Sequence, residues 1–322
     1  MRSMRSRRWI AFLLLLAFSG AALAQAFPGR SVTLVVPNPP GGAIDIQARI
    51  YAQKLQDFWG QPVIVDYKPG AGTLLGMEHV AKSAPDGHTL CLVVTPLVIL
   101  PALREKMPYD TLKDLAPVTL TGVSSIMLAA APGLQASNVA ELIALARKNP
   151  GKLSYATPGS GTSMHLSIEL LKTQTGIDLV HVPYKGGAPA QQDVMAGRVP
   201  ILLDVLYAVQ PLIDSGKIKV IALLSPTRPA SAKGYEVVAE TVPGVSALSM
   251  VGLVAAGGTP RDLVQKISSD VARAVKGSDL TERMTQLGME PVGSTPAEFD
   301  ALIRAEIEKW SRVVRISGAK AD

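Results

Sequence analysis

Ser160, Ser163, His165 and Asp204 carry the side-chain types of a nucleophile, a general base and an orienting carboxylate, so a hydrolytic triad can be drawn from them. The local sequence argues against it. No Gly-x-Ser-x-Gly elbow surrounds either serine, and His165 falls near a helix start, where capping or packing is the commoner role. The four histidines, at 79, 88, 165 and 181, share no metal-ligand spacing. Gly70-x-Gly72 and Gly159-x-Gly161 suggest a dinucleotide fingerprint, but Met164 and Leu75 stand where its third glycine belongs. No cofactor and no metal are expected, and binding without chemistry is the reading that remains.

Anion binding is the chemistry that the chain does advertise. Residues 33–49, TLVVPNPPGGAIDIQAR, run from an apolar β-branched strand through a Pro- and Gly-rich turn into a helix. A helix N-terminus aims unpaired N–H groups and the positive end of its dipole at one point, which suits a carboxylate or a phosphate. Gly41 and Gly42 let backbone approach such a ligand closely. Two further turns have this character, Lys68–Gly76 and Ser154–His165, and the second adds hydroxyls at Thr157, Ser160, Thr162 and Ser163. Asp204 ends the apolar run Ile201-Leu202-Leu203, where it faces a cleft or caps the next turn.

These turns need elements to hold them. Strand and helix signals alternate, with strands at 31–37, 63–67 and 89–95 and helices at 44–58 and about 76–83, which implies βαβ units and a parallel sheet. Such sheets bind ligands at the carboxyl ends of their strands, where the Gly-rich turns lie. Leu115–Ala131 reads as a strand crossing to a second αβ series. That series has strands at 152–156, 179–183, 200–206 and 220–224, and helices at 139–148, 163–173, 188–196 and 211–215. The chain crosses back near Ser246–Ala256, and the remainder is helical. Asn138 with Glu141, Thr259-Pro260 with Asp262, and Thr295-Pro296 with Glu298 are helix-start signals. Phe299, Ile303, Ile307, Trp310 and Val314 repeat at helical spacing and read as core.

Arg2, Arg5, Arg7 and Arg8, the apolar run Trp9–Phe18 and the small residues after it read as an export signal with two fitting cleavage sites, before Gln25 or before Phe27. The second is preferred because Phe27 and Pro28 lead directly into the first strand. The run is too short for the roughly 20 residues of a membrane span. Those four arginines account for most of the net charge of +6, and no basic patch with interleaved aromatics follows, so nucleic acid is not an expected partner. Cys91, the single cysteine, lies in an apolar strand and reads as a buried small hydrophobe. An apolar fraction of 48% supplies cores for two domains.

Taken in order, several segments resemble one family. They are Leu34-Val35-Val36-Pro37 with Pro40-Gly41-Gly42 and Asp45, then Gly60-Gln61-Pro62-Val63 and Pro69-Gly70-Ala71-Gly72. Ala84-Pro85-Asp86-Gly87, Met107-Pro108-Tyr109-Asp110 and Asn149-Pro150-Gly151-Lys152-Leu153 follow. Gly159-Ser160-Gly161 with His165-Leu166, His181-Val182-Pro183-Tyr184-Lys185-Gly186 and Gly257-Gly258-Thr259-Pro260 complete the set. The chain is similar to the Bug family, the substrate-binding receptors of tripartite tricarboxylate transporters.

The resemblance implies a type II-like periplasmic-binding-protein fold of the α/β class. Two mixed or parallel sheets flanked by helices would be joined by two crossing strands. The expected division is 1–26 signal peptide, 27–125 plus 251–322 first lobe, and 126–250 second lobe. It implies a monomeric periplasmic receptor that captures a small carboxylate and delivers it to the membrane subunits of a transporter, with no arginine clamp needed. The expected ligand residues are Asn38, Gly41, Gly42, Ala43, Asp45, Gly70, Gly72, Thr73 and Thr95 from the first lobe. Thr157, Gly159, Ser160, Gly161, Thr162, Ser163, His165, Tyr184 and Asp204 are expected from the second. Asn38, Thr95-Pro96-Leu97 and Met250 depart from the family pattern, so the distal pocket is expected to differ. The alternatives from other classes are a secreted hydrolase or isomerase and a receptor for a signalling system.

Overall fold

The computed structural model describes residues 27–40, 43–228, 234–286 and 289–319. The expected export segment, Gly41 and Gly42 lie outside the described residues. In chain order, β1 (Val32–Val36), α1 (Ala43–Trp59), β2 (Val63–Tyr67), α2 (Leu74–Ala81) and β3 (Thr89–Val94) make two βαβ units. The helix α3 (Pro96–Leu103) then leads to β4 (Leu115–Ala130). The second series is α4 (Val139–Lys148), β5 (Ser154–Thr157), α5 (Ser163–Thr175), β6 (Val180–Pro183), α6 (Gly187–Met195), β7 (Ile201–Val205), α7 (Leu206–Asp214) and β8 (Lys219–Leu223). After α8 (Val238–Thr241), β9 (Leu248–Ala256) returns, followed by α9 (Arg261–Val275), α10 (Ser278–Gln286), β10 (Glu290–Pro291) and α11 (Pro296–Ser317).

The strands form one curled mixed sheet in the order β2-β1-β3-β9-β4-β7-β5-β6, with β8 and β10 also pairing with β4. The length of β4 makes this possible. Its residues 115–125 run antiparallel to β9, and its residues 126–130 run antiparallel to β7 and β8. The parallel strands β1, β2 and β3 therefore belong to one half of the sheet, and β5, β6 and β7 to the other.

Period-two alternation sends successive side chains to opposite faces. On one face a single core runs through both halves, from Val35 and Val93 past Leu128 to Tyr155, Leu203 and Trp310. The other face carries two separate cores, one around Leu34, Tyr51 and Ile267 and one around Ala190, Leu202 and Val209. The last helix, α11, packs on β4, α3 and α5, so it touches elements of both halves. Phe299, Ile303 and Trp310 are buried as the helical spacing predicts, and Cys91 is fully buried.

Helix starts follow the sequence signals in two cases out of three. Asn138 Oδ1 accepts from Glu141 N at 2.8 Å, and Thr295 with Glu298 forms a capping box. Thr259 instead donates its hydroxyl back to Ala256 O at 2.7 Å, which leaves Pro260 as the cap of α9. The helix expected at 211–215 begins earlier, at Leu206. The chain turns directly out of β7, and burying Leu206 and Val209 outweighs the backbone bond that Pro211 forgoes inside the helix. Among the described residues after β9, the regular elements are helices except for β10, which pairs with β4 at Val123 and Gly122.

Candidate functional site

A cavity of about 270 Å³ opens where the carboxyl ends of the two strand sets meet. Its walls are Ala71 and Gly72 from the turn after β2, Gly159, Ser160, Gly161 and Thr162 from the turn after β5, and Pro96, Leu100, Leu103 and Arg104 from α3 and its end. Two of the three Gly-rich turns thus face one space from opposite halves. A larger depression of about 590 Å³ lies by Ala131 and Pro200, at the amino ends of the second set of strands. That is the wrong end of an open α/β sheet for a ligand.

The turn after β5 leads into α5. Thr162 caps that helix, its hydroxyl accepting from His165 N at 3.3 Å and donating to Gly159 O at 2.8 Å. Ser163, Met164 and His165 are all buried at the start of the helix. The N–H groups of Ser163 and Met164 have no intrahelical acceptor by construction, and a buried helix end of this kind calls for a polar ligand. His165 Nδ1 accepts from Gly161 N at 3.1 Å, and its ring stacks on His181 at 3.9 Å between centroids. Thr157 Oγ1 lies 2.7 Å from His181 Nε2 and accepts from Gly159 N at 3.3 Å. Thr157 and His165 therefore hold the shape of the turn, while Ser160 and Thr162 line the space.

The turn after β2 is bent out of ordinary backbone space. Gly70, Ala71, Gly72 and Thr73 have φ values of 138°, 49°, 66° and 83°. Left-handed backbone is costly for alanine and still more for a β-branched threonine. Thr73 is buried, and its hydroxyl has no hydrogen-bond partner among the described residues. Asn38 Oδ1, in the turn after β1, is likewise buried and unpartnered. Ala43 opens α1 beside that turn.

The remaining expected residues fall elsewhere. Asp45 accepts from Arg49 Nε at 2.8 Å and from the Tyr67 hydroxyl, which ties α1 to the end of β2. Thr95 is buried and accepts from Met250 N at 3.1 Å, which pins β3 to β9. Tyr184 N donates to Thr157 O at 3.0 Å beside the turn, but its hydroxyl points away to Asp193 at 2.6 Å. Burial first, and then that bond, pushes the Tyr184 phenol up to about 12.

Asp204 accepts from Gln191 Nε2 and from Val205 N, both at 2.8 Å. Burial raises its pKa above the ordinary carboxylate value, and those two bonds oppose the rise. Asp204 shares strand parity with Leu202, on the face covered by α6 and α7, whereas α5 packs on the other face with Leu203. His165 and Asp204 are therefore on opposite sides of the sheet, and no triad with Ser160 or Ser163 forms.

Sequence reading missed α3 and Tyr207. Thr95-Pro96-Leu97 reads as a turn but starts a buried helix, whose end brings Leu100, Leu103 and Arg104 to the cavity. The Pro at its first position was the available signal. Tyr207, at the start of α7, packs against the shared core and the separate core of the first half, and burial with nearby Asp204 pushes its phenol up to about 12. Nothing in its local sequence marks it.

Two halves of one sheet, with backbone turns opposed across a crevice at the carboxyl ends of their strands, define a solute-binding protein of the two-lobed kind. The chain belongs to the tripartite tricarboxylate transporter receptor family, whose profile it matches over residues 47–318. It is 34% identical to the protein BugT of Bordetella pertussis over 300 residues, 92% of each chain. A Rhodopseudomonas palustris protein solved with adipate superposes with a TM-score of 0.81 at 33% identity, covering 92% of this chain and all of that one. MatC of the same organism, solved with bound malate, gives 0.75 at 30% identity, covering 89% of this chain and all of the other. These relatives are receptors rather than enzymes, and the family with its periplasmic neighbours implies a periplasmic protein. No helix among the described residues is long and apolar enough to cross a membrane.

Proposed function

We propose that this protein is a periplasmic receptor that captures a small carboxylic acid in the cavity between its two halves. It then presents its closed form to the membrane subunits of a tripartite transporter. The observation that carries this reading is the buried start of α5 opening on a cavity whose other wall is the turn at Ala71 and Gly72. Backbone N–H groups and a helix dipole favour a carboxylate there without a dedicated cation. Adipate and malate in the two Rhodopseudomonas structures support the class of ligand.

In this reading the lobes are 27–125 with 251–322, and 126–250, and α11 straps them together. Residues 1–26 direct export and are removed, and the mature chain works as a monomer with no chemistry of its own. The contacts come from the turns at Asn38–Ala43 and Gly70–Thr73 in the first lobe and Thr157–Ser163 in the second. Asp45, Thr95, His165, Tyr184 and Asp204 support those turns from behind. The test is calorimetry and native mass spectrometry of the mature protein against dicarboxylates, tricarboxylates and aromatic acids. An acid at about a hundred times its Kd should add roughly 2.7 kcal/mol to stability. Failure of every acid to bind would overturn the reading.

A further inference from the structure

Arg104 lies where α3 ends, on the wall of the cavity that faces the turn at Gly159–Thr162. Its Nε is buried with no hydrogen-bond partner, and its guanidinium makes no ion pair among the described residues. Arg104 is the arginine among the described residues whose side chain has a buried nitrogen without a partner. Arg30, Arg49, Arg198, Arg273 and Arg304 each bond a carboxylate within 3.3 Å or less. A guanidinium is always charged, and a buried donor left unmatched is costly. The cavity therefore has two places for negative charge, the start of α5 and Arg104. Pro96, Leu100 and Leu103 supply apolar lining to the same cavity.

Resting on the carboxylate reading above, we propose that Arg104 is the residue that selects the ligand, by pairing with a second carboxylate. The first carboxylate sits at the start of α5. A methylene spacer lies against Pro96, Leu100 and Leu103. The ligand class is then a dicarboxylate with an apolar middle, and a monocarboxylate of equal length leaves the guanidinium unmatched. Lys106 and Glu105, which follow in sequence, are not part of the cavity wall.

The experiment is calorimetric titration of the full mature protein with succinate, adipate and suberate, and with butyrate, hexanoate and octanoate as their one-carboxylate counterparts. The wild type should prefer at least one diacid over its counterpart by about tenfold or more, as a charge-assisted bidentate pair warrants. Arg104→Gln should erase that preference by weakening the diacid alone, and Arg104→Lys should restore part of it. Equal losses for both acids, a preference that survives Arg104→Gln, or a wild-type preference for monocarboxylates would overturn the role of Arg104 and leave the carboxylate reading standing. Binding of none of the six by the wild type would overturn the role of Arg104, and the carboxylate reading falls with it only if the tricarboxylates and aromatic acids fail as well. Matching thermal midpoints of the unliganded variants and the wild type separate an effect on recognition from one on folding.

Discussion

Leu103 Cδ1 stands 2.7 Å from the position that a β-carbon on Gly161 would occupy, and the two residues come from opposite halves of the sheet. Gly161 also has a φ of 72°, where a side chain is strained whatever the space around it. The two halves touch through a missing side chain.

Gly161→Ala should therefore weaken ligand binding by acting on the closed state. The left-handed backbone costs alanine about 1–2 kcal/mol in any state, while the clash with Leu103 arises only when the halves meet. Affinity should fall by about threefold, because the Leu103 Cδ1 tip can shift aside at the cost of an off-rotamer side chain, measured by calorimetry with the tightest-binding acid. Adding Leu103→Ala should recover the affinity lost to the clash, while the backbone cost, common to both states, shows as a lower thermal midpoint in both variants, so the cycle of single and double variants separates them. Unchanged affinity in Gly161→Ala would mean that the contact is not made in the bound form.

Thr73 gives a prediction of opposite sign for stability and binding. Its φ of 83° is strained for a β-branched residue, and its buried hydroxyl has no partner. Thr73→Gly relieves both and should raise unfolding stability by about 1 kcal/mol in the unliganded protein. The same change removes a hydroxyl held ready beside the cavity, so affinity should fall. Denaturant titration and calorimetry on the same sample read the two effects. A variant both less stable and equally tight would sink the idea that strain is held here for binding.

Asp204 predicts a pH dependence. Burial lifts its native pKa above the unfolded value, so the protonated form favours the fold. The stability linked to this group is fully present below the ordinary carboxylate pKa and is lost as pH rises through the raised native one. Asp204→Asn removes that titration. The midpoint of the variant minus that of the wild type should climb as pH is raised from about 4 toward neutrality, whatever constant offset the altered bonds to Gln191 and Val205 impose. Thermal melts of the unliganded proteins across that range check it, and a difference that falls with pH would contradict the assignment.

The strand-to-turn-to-helix pattern at Gly70–Gly72 and Gly159–Gly161 was legible because glycine, proline and β-branched residues act locally. The crossing strand was legible because a sixteen-residue apolar run has few other folds open to it. Arg104 was not legible. A single arginine after PLVILPAL has no local signal, and its place on the cavity wall depends on α3 packing against α11 and β3. Asp204 was half legible. Its position at a strand end was readable, but which face it took follows from the parity of β7, and that placed it beside Gln191 and away from His165.

Trp310 tests whether the shared core makes the two halves one cooperative unit. It is fully buried on α11, in the core that runs from Val35 of one half to Leu203 of the other. Its indole Nε1 has no hydrogen-bond partner among the described residues. Trp310→Ala opens a large void and should cost about 3–5 kcal/mol. Trp310→Phe keeps much of the packing and removes an unmatched buried N–H, so it should cost clearly less. Because α11 touches α3 and α5 alike, Trp310→Ala should lower amide-exchange protection at Leu34 and at Leu203 together. Loss of protection confined to one half would show that α11 is an appendage of that half, and the continuous core would then not couple the lobes.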